Sequence, residues 1–185
     1  MRPVFAILVA LCSMGAMALT PNPKPRLIVI RAAPDAQEVG TIVIPAGSTL
    51  RLESSLSRTT DIQAAFRGRF TLSGIYKVEG YGEDSSLTMW PDRQSRNRLP
   101  HWQDREVPEE MDISNAWAFA RAVLPNDTLQ KLKTGKMSAA RGHVTIIADQ
   151  YETSIDCDVV AASARFVSVV KKVQIAAVRA KEETC

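Results

Sequence analysis

The sequence predicts a β-rich fold, all-β or α+β: a small curved sheet with one or two short helices, preceded by a cleaved signal peptide. Three observations predict it. The first is the stretch from Phe66 to Pro91. Phe66, Phe70, Leu72, Tyr76 and Val78 share one parity with Gly68 and Gly74, and Arg67, Arg69, Thr71, Ser73, Lys77 and Glu79 share the other. Only Ile75 breaks the alternation. This is the period of a half-buried strand, and glycines in place of core side chains predict a bend or bulge. The second is the same alternation at Val144, Ile146, Ala148 and again at Ile155, Cys157, Val159. The third is the composition: 185 residues, 45% hydrophobic and 23% charged, which is the range of a globular chain with a real core.

The N-terminus reads as a secretory signal. Arg2 is a short positive region, Val4 to Met14 are almost all apolar, and Ala16-Met17-Ala18 fits small-x-small cleavage after Ala18. The apolar run is too short to span a bilayer, so no membrane span is expected after its removal. Residues 19–25 (LTPNPKP) form a proline-rich spacer. Residues 26–61 hold three short strands, at Leu27–Ile30, Thr41–Ile44 and Leu50–Glu53, separated by Pro34-Asp35 and Pro45-Ala46-Gly47 turns. They are too few to hold a core alone and are expected to pack on or flank the main domain, residues 62–185.

In that domain the long strand ends at a turn around Gly80–Asp84. Leu87, Met89 and Trp90 return, and Pro91-Asp92 stops them. Arg93 to Pro108 has little periodicity and reads as a long loop, a class often functional. Asp112 to Leu124 predicts a helix, with Ile113, Trp117, Ala120 and Leu124 on one face and Ser114 or Asn115 as cap. Pro125 ends it. A second helix is predicted over Asp127–Thr134, with Gly135 beyond its end. Strands then follow at His143–Asp149, Ser154–Val159 and Arg165–Val173.

The order of strand, strand, irregular segment, helices, strand, strand resembles the oligonucleotide/oligosaccharide-binding barrel over about residues 66–172. The long bent first strand and its glycines Gly68 and Gly74 carry the resemblance. It implies a third strand drawn from Glu106–Ile113. An open α+β sheet is the alternative.

Cys12 leaves with the signal. Cys157 and Cys185 remain as a pair in an oxidising compartment, which predicts a disulfide between them. On the chain-entropy model it would add about 3–4 kcal/mol. The candidate binding residues are Trp90, Arg93, Arg96, Arg98, His101, Trp102 and Arg105. Arginines grip carboxylates and phosphates through parallel hydrogen bonds. Exposed tryptophans offer stacking faces, and both types dominate protein interfaces.

No catalytic residue is assigned. The only histidines are His101 and His143, no Gly-x-Ser-x-Gly elbow surrounds a serine, and Glu83-Asp84 and Glu109-Glu110 are adjacent and point apart. Asp156 and Asp158 flank Cys157 without a calcium-loop glycine. No zinc, phosphate-loop or dinucleotide spacing is present, so no metal or cofactor is expected. A formal charge of +3, or +2 without Arg2, makes no case for nucleic acid. The reading is a periplasmic or secreted, non-enzymatic binding module whose partner is a protein of the cell envelope or extracellular space, as an accessory, inhibitor or immunity-type protein. The alternatives are a barrel that binds a small ligand or saccharide, and a small hydrolase using carboxylates.

Overall fold

Alternation, punctuated by turns, produces ten strands and three α-helices among the described residues. The computed structural model describes residues 23–31, 38–57, 61–156 and 158–178. The predicted signal peptide, residues 19–22 of the spacer, and both Cys157 and Cys185 lie outside them.

Strands β1 (Arg26–Arg31) and β2 (Glu38–Ile44) pair antiparallel, as do β3 (Arg51–Ser57) and β4 (Asp61–Arg67). β5 (Phe70–Glu79) returns through a 3₁₀ turn at Gly82–Asp84 into β6 (Ser86–Pro91). The segment read as a loop contains α1 (Arg93–Arg96) and β7 (His101–Trp102). β8 (Met111–Ser114), α2 (Ala116–Val123) and α3 (Asn126–Lys133) follow. The described residues finish with a long hairpin of β9 (Ala139–Asp156) and β10 (Val159–Val178).

Two sheets result. The small one has the order β1-β2-β7. The large one has the order β10-β8-β6-β5-β9-β4-β3, and β10 also pairs with β9. The strands β5, β6, β8, β10 and β9 therefore pair in a closed cycle, antiparallel throughout except for the short parallel contact of β8 with β10.

β4 and β5 run along one edge of β9: β4 pairs with 151–156 and β5 with 139–148. Gly68 lies between them at φ +128, a conformation L side chains rarely adopt. A Cβ there would also sit 2.8 Å from the Thr49 carbonyl oxygen. This is the bend expected in the long strand. Gly74 has a different reason. It lies opposite Pro91, and a Cβ on it would stand 2.8 Å from the Pro91 Cα.

One buried cluster unites both sheets. Leu72, Tyr76 and Val78 of β5, Met89 of β6, Ile146 and Ala148 of β9 and Phe166 of β10 contribute from the cycle. Phe119 of α2 seals it, edge-on to Tyr76 at 5.0 Å and to Phe166 at 5.4 Å between ring centroids. Ile30, Ile42, Ile44 and Trp102 supply the inner face of the small sheet. Tyr151 Oη donates to the Pro100 carbonyl at 2.9 Å and ties the segment before β7 to β9.

The expected helix over Asp112–Leu124 starts only at Ala116. Met111 and Ile113 are buried while Asp112 and Ser114 are exposed, which is strand alternation. Asn115 then takes a left-handed conformation, φ 64, that separates strand from helix. Ile113 and Trp117, four apart, had suggested one helical face. The expected third strand is present, as β8, at the end of the segment proposed for it.

Candidate functional site

The crossing from β6 to β8 builds the site. β6 ends at Pro91, and Asp92 caps α1 by accepting from the Ser95 N–H at 2.7 Å. Ser95 is buried, and its Oγ accepts from the Ser73 N–H at 2.9 Å while the Asp92 N–H donates to the Ser73 carbonyl at 2.8 Å. Both backbone groups of one β5 residue thus clamp α1 where β6 leaves off. The chain then turns into β7, whose Trp102 and His101 pair with Ile42 and Val43 of β2. Trp102 faces inward with Ile42, so His101 faces outward with Val43.

Arg93, Arg96, Asn97, His101, Arg105, Glu106 and Val107 line one cavity of about 360 Å³. Four of the seven binding residues expected from sequence, Arg93, Arg96, His101 and Arg105, meet here. Arg105 is held by Asp158 of the β9–β10 turn at 2.6 Å. Arg93 and Arg96 make no ion pair among the described residues, and the buried Nε of Arg96 has no hydrogen-bond partner. His101 Nδ1 lies 3.2 Å from the Leu99 carbonyl. A carbonyl oxygen only accepts, so Nδ1 is the donor of this contact.

The remaining three fall elsewhere. Arg98 lines a smaller cavity of about 160 Å³ with Ser95, Arg69 and Thr49. Trp90 lies on the outer face of the large sheet, in one cross-strand row with Ile75 and His143. Its ring is covered by the Arg141 guanidinium at 5.9 Å. Trp102 is 2% exposed and belongs to the core, which corrects the expectation of an exposed stacking face. The lack of a side chain at Gly40 makes room for it: a Cβ there would stand 3.1 Å from the indole.

The cavity borders an apolar strip. Leu27, Val43 and His101 are cross-strand neighbours on the outer face of the small sheet, with Leu27 62% and Val29 46% exposed. Sequence alternation placed these residues in strands but could not say which edge lay beside the arginines.

A second concavity of about 350 Å³ escaped the sequence reading entirely. Register aligns Asp112, Ser163, Glu152, Ala65 and Ser54 across five strands, and it is lined mostly by serine and alanine. It has neither an aromatic platform nor a cation, so its chemistry is less directed than that of the basic cavity.

No group of three or more His, Cys, Asp or Glu side chains placed to hold a metal ion occurs among the described residues. No described helix is long and apolar enough to cross a membrane. No protein-family model, curated protein or solved structure matches the chain, so what can be said of the site rests on its own geometry.

Proposed function

We propose that this protein is an exported, non-enzymatic binding module that holds an anionic group of its partner in the Arg93–Arg105 cavity. The observation that carries the reading is the convergence of three arginines on one cavity, two of them without an ion pair among the described residues. Guanidinium groups recognise carboxylates and phosphates through parallel hydrogen bonds. The adjoining strip of Leu27, Val29 and Val43 gives the apolar contact that a protein interface adds to its charges. The partner is accordingly a protein of the cell envelope or extracellular space, and export rests on the N-terminal sequence.

The large sheet supports an OB-like reading. Five strands pair in a cycle, a bend at Gly68 leads into the first, and two helices precede the last two strands. In such barrels loops beside the sheet carry ligands. A small-ligand reading is favoured by one specific observation, the cavity volume of about 360 Å³, which suits a ligand of few atoms.

The test is a pull-down from envelope extract with the wild type and an Arg93→Ala/Arg96→Ala variant. Arg93 is exposed and Arg96 half-buried, so the variant is expected to melt within about 1 kcal/mol of wild type and to lose its partner. Recovery of the same partners by both proteins would overturn the proposal.

A further inference from the structure

The basic cavity is not uniformly basic. Glu106 lines it too, is exposed, and makes no ion pair with the arginines or with any other described residue. A carboxylate beside three guanidinium groups would ordinarily close onto one of them, since such bidentate pairs are the strong ones. Here Arg105 is engaged by Asp158 instead, at 2.6 Å. Arg93 and Arg96 are therefore open to an anion and Glu106 is open to a cation, within one cavity of about 360 Å³. His101 lines the cavity as well, its Nδ1 donating to the Leu99 carbonyl.

From this separation of donors and acceptors we infer that the cavity takes a zwitterion of the α-amino-acid class. Its carboxylate is held by Arg93 and Arg96, and its ammonium by Glu106. The inference rests on the small-ligand reading of the cavity as an anion site and sharpens it by adding the cation. A phosphate or a simple carboxylate would leave Glu106 as an uncompensated like charge beside it. A ligand carrying both charges satisfies both ends and brings no net charge into the cavity. Val107, half-buried on the same wall, gives a short apolar side chain a place to rest. The volume lies near the lower end of ligand pockets, about 300–1,000 Å³, which fits one residue rather than an oligomer.

Calorimetric titration of the purified protein with L-valine, N-acetyl-L-valine, L-valinamide and inorganic phosphate tests this. Valine is expected to bind at least about tenfold more tightly than either blocked form, because each lacks one of the two charges. Glu106→Gln should erase the preference for valine over N-acetyl-L-valine. Arg93→Ala/Arg96→Ala should abolish binding of valine, N-acetyl-L-valine and phosphate, with melting curves confirming that both variants fold. Equal affinity for valine and N-acetyl-L-valine, or for valine and valinamide, overturns the zwitterion assignment. Binding of N-acetyl-L-valine or phosphate in that case leaves the anion site standing. Absence of binding by all four ligands overturns both.

Discussion

Replacing Gly74 by alanine puts a methyl group where β5 and β6 touch. The Cβ would stand 2.8 Å from the Pro91 Cα and 2.9 Å from the Trp90 carbonyl carbon. Neither is the end of a flexible side chain. Both belong to the backbone of the paired strand, so relief requires β6 to move away from β5. That movement is resisted at once by the Asp92 N–H on the Ser73 carbonyl and by Ser95 Oγ on the Ser73 N–H. Overpacking costs about 1–3 kcal/mol when side chains can adjust, and a backbone clash belongs at the upper end, about 3 kcal/mol. For a chain of this size each kcal/mol shifts the midpoint by about 2–4 °C, so the melting temperature should fall by about 6–12 °C. Thermal melting followed by far-ultraviolet circular dichroism measures it, with urea unfolding as a second estimate. The exposed Arg93→Ala is the control, expected to stay within about 0.5 kcal/mol. A Gly74→Ala midpoint within 2 °C of wild type, a limit of about 1 kcal/mol, refutes the close-approach argument.

Two buried tyrosines should respond oppositely to loss of the hydroxyl. Tyr151→Phe removes the bond to the Pro100 carbonyl and should cost about 1–2 kcal/mol, whereas Tyr76 Oη has no partner, so Tyr76→Phe should be neutral or stabilising in urea melts. Burial raises the Tyr76 hydroxyl from 10.0 to about 12 and raises Tyr151 as well. The native state then keeps protons the unfolded chain has lost, so stability is intact below pH 10 and falls as the pH climbs through about 12. Alkaline denaturation should therefore begin at higher pH in Tyr76→Phe. Trp102→Ala should cost about 3–5 kcal/mol as a core truncation, and a midpoint close to wild type would show the indole to be outside the core. Alkylation and mass measurement should find Cys157 and Cys185 joined, and two alkylated thiols in the unreduced protein would end that expectation.

Strand alternation made the fold class legible. In β5 and β9 apolar residues sit on one parity for many residues, and no other arrangement hides them. The break at Gly68 was legible for the same reason, since a glycine replaced a core side chain. What could not be read was pairing between elements too short to show a period. β7 has two residues and β8 four, and in β8 a single Ile113–Trp117 spacing outweighed Met111–Ile113 alternation. The candidate site was legible as a list of arginines and not as a cavity. Whether Arg93 and Arg105 meet depends on α1 being clamped to Ser73 and on β7 pairing with β2, both long-range facts. Trp102 was misplaced because a two-residue strand has no parity of its own, and the sequence cannot say whether His101 or Trp102 faces in.

The closed cycle of strands also sets a schedule. Its last two members in sequence are β9 and β10, and β5 finds its partner only across a gap such as Phe70 to Ala148. Contacts so distant in sequence form slowly, because loop closure must come before any reward. Until the C-terminal hairpin is available, β5 and β8 each lack the partner on their other edge and the core has no second wall. β4 and β5 therefore cannot complete their pairing until that hairpin is in place.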